Sequence, residues 1–374
     1  MKKILISPDS FKDCLSAFEV AKHIEKGLLS RNKDIQCRII PVADGGEGTL
    51  DVIIKATKGE MVPIKVHDPL FRPIDSKYGV CGDGKTAVIE MATASGIEIL
   101  SKEERNPWIT TTFGTGELIK DALAHGCRKF IIAIGGSATN DGGAGMAEAL
   151  GVRFLDKHRQ NIKHGGGFLG EIETIDISSI DTRIFESEFL VACDVRNSLV
   201  GSEGASYVYG LQKGADNSMV HNLDKNLQHY ASKIKMQLKK DIAEVPGAGA
   251  AGGLGAGLMA FLNARLKSGF EIVQEAVNLH EHCKWADIVI TGEGKIDEQT
   301  QFGKTPQGVA NIARKYNKNV IAVAGTLGEG YEKLYNSGFD SIWPITNKPM
   351  SLEESIQNAP MLLEHFGMAV SGMV

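Results

Sequence analysis

A glycine-rich turn between a predicted strand and a predicted helix is the part of the sequence best suited to bind an anion. Residues 129–151 read KFIIAIGGSATNDGGAGMAEALG, in which 130–134 predict a buried strand and 146–150 a helix that ends at Gly151. Glycine lets backbone N–H groups approach a phosphate closely, and a helix N-terminus adds partial positive charge. A tight connection packed with small residues is the alternative. We expect phosphate binding through Gly135, Gly136, Ser137, Thr139, Asn140, Asp141, Gly142 and Gly143.

Three further predicted strands end in a carboxylate beside glycines, at Asp44, Asp194 and Asp297. Glycine-rich turns, carboxylates and basic groups are what phosphoryl transfer needs: they hold phosphates, bind Mg²⁺, accept a hydroxyl proton and offset developing charge. The alternative for each aspartate is N-capping of the next helix. No histidine lies in these turns, which disfavours a histidine-based hydrolase. Nearby loops offer the cations Lys12, Arg72, Arg196, Lys213 and Lys295.

Two other glycine-containing stretches are ambiguous in sequence. Residues 246–257, PGAGAAGGLGAG, suit either an anion-binding turn or a contact between helices through small residues, and composition leaves both open. Residues 79–86 satisfy the Walker A spacing G-x-x-x-x-G-K-T. A Walker A loop must open a helix, whereas 87–91 is strand sequence and Asp83-Gly84 favours a hairpin turn. We therefore interpret 79–86 as a hairpin.

The order of predicted elements favours an α/β protein with an inserted domain. Strand and helix alternate near both ends of the chain, which predicts a parallel sheet, while short strands joined by turns follow residue 59. We place a first, discontinuous domain at 1–58 together with about 108–151 and 285–374, and a second domain with a mixed sheet at about 59–107 and 152–284.

Composition excludes several classes of protein. The 374 residues carry a net charge of −5, which gives no electrostatic case for binding nucleic acid or an anionic membrane. The six cysteines contain no C-x-x-C pair, so neither a zinc site nor a disulfide framework is indicated. The N-terminal apolar run is too short for a signal peptide, and no run approaches a membrane span. We expect a cytoplasmic protein, either a monomer or a homodimer.

Longer motifs carry a resemblance to a known family. They are PDSFKDCLSA, ADGGEGT, AVIEMATASG, IGGSATNDGGAGMAEALG, CDVRN, QKGA, PGAGAAGGLGAGL and ITGEGKIDEQTQFGKTPQGVA, and they extend over essentially the whole length. The chain resembles bacterial glycerate kinases of the two-domain glycerate 2-kinase type. The resemblance implies a flavodoxin-like domain with permuted strand order, a second α/β domain and an active site in the cleft between them. It also implies that ATP and D-glycerate give ADP and 2-phosphoglycerate, with Mg²⁺.

The chain departs from the family pattern at three positions. Ser198 stands where the family usually has proline after Asn197, Leu211 stands where it has proline before Gln212-Lys213, and Phe71 replaces a glycine before Arg72. Each change keeps the charged or amide group and removes a backbone restraint. The fit of the acceptor is therefore the property most affected.

Roles for individual residues follow as hypotheses. The turn at 135–143 and a second one, Gly292-Glu293-Gly294, are expected to enclose the nucleotide phosphates. Asp194 is the first candidate for Mg²⁺ or for the general base, with Asp44 and Asp297 sharing those tasks and Asp297 as a second metal ligand. Charge-assisted donors would bind the glycerate carboxylate and the transferred phosphoryl group. The candidates for that binding are Ser10, Lys12, Arg72, Arg196, Asn197 and Lys213.

Other functions remain open at this point. The chain could phosphorylate the 3-hydroxyl, or another small hydroxy acid. It could also be a non-catalytic sensor of a phosphorylated metabolite, although unneutralised carboxylates would repel such a ligand.

Overall fold

The computed structural model describes residues 1–373 and divides into two units. The first comprises Met1–Asp44 and the chain from Val273 onward, and the second is Gly45–Ile272. Strands of the first unit are β1 (Lys3–Ile6), β2 (Gln36–Ile39), β11 (Ile288–Ile296), β12 (Asn319–Leu327) and β13 (Ser341–Pro344). Its helices are α1 (Ala17–Arg31), α10 (Leu279–Trp285), α11 (Thr305–Lys315) and α12 (Leu352–Ser371).

The second unit contains eight strands among its described residues. They are β3 (Glu60–His67), β4 (Pro73–Val80), β5 (Thr86–Glu90), β6 (Lys129–Ala133), β7 (Arg153–Leu155), β8 (Thr174–Asp176), β9 (Glu188–Ala192) and β10 (Arg265–Lys267). The helices are α2 (Thr49–Ala56), α3 (Ala92–Ser95), α4 (Phe113–Ala124), α5 (Ala144–Ala149), α6 (Ala205–Tyr209), α7 (Asn217–Leu238) and α8 (Ala250–Leu262), while α9 (Gly269–Ala276) lies across the boundary. Short 3₁₀ helices occupy Ile97–Ile99, Lys102–Glu104, Gly166–Glu171, Thr182–Glu186, Leu211–Lys213, Glu298–Phe302 and Tyr331–Ser337.

The first unit has a parallel sheet in the order β13-β12-β11-β1-β2. Counted within the unit alone, this is the order 2-1-3-4-5 of flavodoxin-like folds. The flavodoxin-like prediction is therefore confirmed, but the strand order is not permuted: the second unit is simply inserted between the second and third strands. From β1 the chain adds β2 on one side of the sheet and later adds β11 on the other side of β1, so the topological switch point lies between β1 and β11. Ligands of such sheets bind at the carboxyl ends of the strands beside the switch point.

Helix α1 shows why the first unit folds as its sequence predicts. Ser16 and Glu19 form the predicted capping box, and the apolar stripe from Val20 to Leu28 is buried. Helix α12 crosses close to α1, since a Cβ on Gly27 would lie 2.0 Å from the carbonyl oxygen of Glu364. A second predicted capping box, Ser351 with Glu354, begins α12.

The second unit has a mixed sheet in the order β10-β9-β6-β5-β4-β3. Strand β4 pairs antiparallel with both of its neighbours, β3 and β5, whereas β5, β6, β9 and β10 pair in parallel. The mixed sheet confirms the prediction for the inserted domain. The predicted boundaries differ from the observed division, because β6 is hydrogen-bonded between β5 and β9. Residues 108–151 consequently belong to the second unit, and residues 45–58 lie in it as well.

The stretch with Walker A spacing is a hairpin, as expected. It connects β4 to β5, whose residues Gly79 and Val88 pair in antiparallel register. The Asp83 carboxylate accepts the backbone N–H groups of Lys85 and Thr86, which closes the turn. All six cysteines are free thiols. Within residues 1–373, no helix combines the length and apolar character needed to cross a bilayer.

Candidate active site

The glycine-rich turn after β6 begins with two exposed glycines. Gly135 and Gly136 are exposed, and neither backbone N–H group donates a hydrogen bond within the described residues. The loop that begins at Gly45 lies alongside, since a Cβ on Gly135 would lie 3.3 Å from the Cα of Gly46. Both loops line a small recess with Glu47, Glu90, Ala92 and Ala133. Unpaired N–H groups at the carboxyl end of a central parallel strand are suited to bind phosphate.

Glu90 lines this recess and was not among the site residues predicted from the sequence. Its carboxylate accepts the N–H of Leu50 at 2.8 Å and so caps the N-terminus of α2. Burial raises the pKa of Glu90 to about 6, opposed by that hydrogen bond. Its position at the end of β5 is the signal that could have identified it.

The rest of the turn is buried, and a buried lysine lies behind it. The Nζ of Lys213 donates to the Oγ of Ser137 at 2.8 Å and to the carbonyl oxygen of Thr139 at 2.7 Å. Asn140 donates to the Oγ of Ser206 at 2.9 Å. Burial lowers the pKa of Lys213 to about 7, and the negative charge of Asp141 opposes that change. In this conformation Lys213 therefore holds the turn in place from inside the unit.

Asp141 is fully engaged with protein groups. Its carboxylate accepts the N–H and Oγ of Thr112 at 2.8 and 2.9 Å and the N–H groups of Gly143 and Gly145 at 3.1 and 3.2 Å. Burial raises its pKa, while these hydrogen bonds act in the opposite direction. The side chain thus satisfies the N-terminal N–H groups of both α4 and α5. Its predicted role in nucleotide binding stays a prediction.

Gly142 and Gly143 pack against α8 and the ring of Tyr230. A Cβ on Gly142 would lie 2.6 Å from that ring, and one on Gly252 would lie 1.9 Å from the carbonyl oxygen of Thr139. Gly252 also accepts the N–H of Gly142 at 3.0 Å. The second glycine-dense stretch is therefore a small-residue contact, and its left-handed backbone at Gly252 and Gly253 favours glycine.

Asp194 follows β9 and remains exposed. One carboxylate oxygen accepts the N–H of Gly269, the first residue of α9, at 3.2 Å. Asp194 does not cap the next helix in the chain, α6, whose N-cap residue is Gly204. Arg196 is also exposed. Asn197, by contrast, donates to the carbonyl oxygen of Glu203 and accepts from the hydroxyl of Tyr209, both at 2.8 Å. The structure thus leaves Asp194 and Arg196 more accessible than Asn197.

Arg72 is held by two carboxylates. Its guanidinium donates to Asp68 and Glu104, both at 2.6 Å, and the Asp68 carboxylate is buried. Phe71 before it adopts a left-handed backbone with φ +64°, and its ring stacks on His67 at 4.2 Å. Glycine, which the family usually has at this position, would adopt that backbone with less strain than phenylalanine does. The stacking of Phe71 on His67 is a contact that glycine could not make.

The first unit presents a separate group of carboxylates at its switch point. Asp9 follows β1, and its N–H donates to the carbonyl oxygen of Gly292 on β11 at 2.8 Å. Burial, with the nearby charge of Asp44, raises the pKa of Asp9 to about 7. Burial also raises the pKa of Glu293 to about 7, which Lys304 at 3.9 Å opposes. Glu293 was predicted from the sequence as a site residue, whereas Asp9 was not, although Asp9 follows a predicted strand as Asp44 does.

The remaining predicted residues of the first unit lie around these carboxylates. Ser10 donates its N–H to Asp9 at 2.6 Å, and the exposed Lys12 has its backbone beside Gly294. Asp297 pairs with Lys295 at 3.0 Å and caps a 3₁₀ helix through the N–H of Gln299. The hydrogen bond from Lys295 lowers the pKa of Asp297. Asp297 thus already has a cationic partner.

Comparison with known proteins places the chain in a family. The model of the glycerate kinase family matches residues 4–374. A glycerate kinase of Halalkalibacterium halodurans is 51% identical over 364 residues, 97% of this chain and 96% of the relative. A glycerate 2-kinase of Escherichia coli K12 is 51% identical over 357 residues, 96% and 94% of the two chains.

Solved structures agree with the sequence comparison. A crystal structure from Salmonella typhimurium LT2, described as a candidate glycerate kinase 2, superposes with a TM-score of 0.90 at 46% identity and covers 100% of this chain and 98% of that one. Enzymes of this kind phosphorylate an alcohol, so the interpretation as a non-catalytic sensor is not supported. Since the match extends over nearly the whole length, this chain belongs to the glycerate kinase family.

Proposed function

We propose that this glycerate kinase transfers the γ-phosphoryl group of ATP to the 2-hydroxyl of D-glycerate and releases ADP and 2-phosphoglycerate. The observation that carries the proposal is the 51% identity, over 96% of the chain, to a relative named for phosphorylation at position 2. The exposed, unpaired N–H groups of Gly135 and Gly136 support it, because they suit a phosphate. We further propose that the protein acts in the cytoplasm as a monomer or homodimer.

Residue roles follow from accessibility and charge. Gly135 and Gly136 would bind the nucleotide phosphates, while Ser137 and the residues up to Gly143 fix their position. Asp194 is the proposed general base, because it is an exposed carboxylate at the end of a central strand. It would take the proton of the attacking hydroxyl as the new O–P bond forms and ADP leaves. Arg196 and Lys12 are exposed cations suited to the glycerate carboxylate.

Mg²⁺ would accompany ATP, and when bound it would neutralise charge on the phosphate oxygens. The residues at the switch point fit such an ion, because Asp9 and Glu293 are partly buried carboxylates with little positive charge beside them. Within residues 1–373 no three acidic, cysteine or histidine side chains are grouped to hold a metal by themselves. This agrees with the usual mode of Mg²⁺, which takes one or two carboxylates together with substrate phosphates. The predicted active site in a cleft between domains stays a prediction.

The experiment is ADP release from the purified protein with Mg-ATP, with and without D-glycerate, followed by NMR of the product. We expect glycerate-dependent turnover with phosphate on C2. Phosphate on C3 would keep the kinase and contradict the proposed position, and turnover with another hydroxy acid alone would contradict the substrate.

A matched pair of variants tests the general base. Asp194→Asn should lower kcat by roughly 10²-fold or more. Asp216→Asn makes the same change at another exposed aspartate that caps a helix, α7, and should leave turnover unchanged. Wild-type turnover in Asp194→Asn would exclude Asp194 as the base.

A further inference from the structure

The buried lysine behind the glycine-rich turn contacts two groups that differ in hydrogen-bonding character. The Nζ of Lys213 lies 2.7 Å from the carbonyl oxygen of Thr139, which can only accept a hydrogen bond. It lies 2.8 Å from the Oγ of Ser137, which can accept or donate. Lys213 is only 1% exposed, and within the described residues these are the two hydrogen bonds of its amine. Of the two partners, only Ser137 can change its role when Lys213 gains or loses a proton.

The charge of Lys213 decides which way the Ser137 hydroxyl points. An ammonium group has donors only, so it donates to the Ser137 Oγ and leaves the hydroxyl hydrogen free to point away from it. A neutral amine has a lone pair, and Ser137 is the hydroxyl in contact that can donate to it. Because a buried acceptor without a donor costs free energy, the neutral amine draws the Ser137 hydrogen inward.

Ser137 lies at the boundary between the exposed and the buried part of the turn. Gly135 and Gly136 directly before it are exposed, and their N–H groups donate no hydrogen bond within the described residues. Thr139 and Asn140 after it are fully buried, while Ser137 is 8% exposed. An anion held by the two glycines therefore lies next to Ser137 in the chain. An outward O–H would donate to that anion, whereas an outward oxygen lone pair would repel it.

We propose that Lys213 is a positioning residue of the phosphate site, which as an ammonium group turns the Ser137 hydroxyl outward to donate to the nucleotide phosphate. The inference rests on the proposed function, since it takes the nucleotide to be the anion at this turn. Burial lowers the pKa of Lys213 to about 7, which the charge of Asp141 opposes, so the unliganded side chain is mainly neutral at pH 8. A bound phosphate favours the ammonium form, so nucleotide binding takes up a proton from the solvent.

Other ionisable groups lie near Lys213 and are separated from it by their chemistry. They are Asp141 in the turn itself, Tyr230 of α7, against which Gly142 packs, and Arg105, whose carbonyl oxygen lies beside Gly214. Burial raises the pKa of Tyr230 well above its usual value, so this phenol stays neutral at pH 8. Arginine keeps its charge throughout. Burial raises the pKa of Asp141, but a proton taken up there would still be taken up in Lys213→Met.

Calorimetric titration of the full-length protein with Mg-ADP at pH 8, in two buffers of different ionisation enthalpy, measures the affinity and the number of protons taken up. We expect wild type to take up roughly 0.5–1 proton and Lys213→Met to take up almost none. Lys225→Met, at an exposed lysine on α7, should take up as many protons as wild type.

Ser137→Ala tests the hydroxyl and also covers the case in which Lys213→Met fails to fold. At pH 7 it should bind Mg-ADP about tenfold more weakly than wild type, because a hydrogen bond to a charged group is lost. Ser232→Ala is the matched control, since that exposed hydroxyl on α7 donates only within its own helix, to the carbonyl oxygen of Gln228, and its loss should leave the affinity unchanged.

The proposal is overturned if wild type takes up no proton, if Lys213→Met takes up as many as wild type, or if Ser137→Ala binds Mg-ADP as wild type does. Glycerate turnover of wild type, measured on the same preparation, separates these results from the proposed function. Turnover with phosphate on C2 but without proton uptake would contradict the positioning role alone. Proton uptake on binding Mg-ADP without any glycerate turnover would contradict the proposed function alone.

Discussion

Replacing the buried Lys213 should change how the stability of the protein depends on pH. Its side chain is 1% exposed, and burial lowers its pKa from 10.5 to about 7. Between those two values the unfolded chain keeps a proton that the folded chain has lost. Because the unfolded state then binds more protons, the free energy of unfolding rises with pH in this window. Lys213→Met removes the titrating group and should abolish this part of the rise.

The magnitude follows from the size of the pKa change. One proton difference between the states contributes about 1.4 kcal/mol for each pH unit. From pH 7 to pH 9 this gives about 2.7 kcal/mol, and partial protonation of the folded state near pH 7 reduces it to about 2 kcal/mol. The lost hydrogen bonds to Ser137 and Thr139 also destabilise the variant, but that cost is equal at both pH values and cancels in the comparison.

Urea denaturation of wild type and Lys213→Met at pH 7 and pH 9 measures the effect. We expect wild type to gain about 2 kcal/mol relative to the variant at the higher pH. Lys225→Met, at an exposed lysine on α7, is the control for the substitution itself. If the two proteins respond to pH in parallel, within about 0.5 kcal/mol, then Lys213 does not titrate in the folded state between these values and the reasoning is refuted.

Two further predictions concern residues with left-handed backbones. Because Phe71 has φ +64°, Phe71→Gly should be more stable than Phe71→Ala by about 1 kcal/mol, since both lose the stacked ring but only alanine retains the strain; equal melting temperatures would contradict this. Gly252→Ala should lose roughly 2–4 kcal/mol of unfolding free energy, because its Cβ would meet the Thr139 carbonyl oxygen. Gly126→Ala is the control, because Gly126 also has a positive φ but no atom near its Cβ position, and it should lose only about 1 kcal/mol of unfolding free energy. Equal losses in the two variants would contradict a steric cost from the Thr139 carbonyl oxygen.

The local pattern of the sequence was enough to predict much of the fold. Hydrophobic periodicity and a capping box predicted α1, and a capping box predicted the start of α12. The strand-like sequence after Asp83-Gly84 predicted a hairpin, although residues 79–86 have Walker A spacing. These features depend on neighbours a few residues apart, so the sequence contains all that decides them. The place of β6 depended on which distant strands it joins, and the predicted domain boundaries differ from the observed ones for that reason.

Accessibility and proximity were decided by the tertiary structure. The turn after β6 looks uniform in sequence, yet only Gly135 and Gly136 are exposed, because α8 and Lys213 cover the remainder from within the unit. Asp9 and Glu293 lie far apart in the chain, and parallel pairing of β1 with β11 alone brings them together. The sequence by itself determined the residue types, the elements and the family of enzyme. The packing of distant strands and helices decided which of those residues can reach a ligand, since burial and long-range pairing are properties of the folded chain.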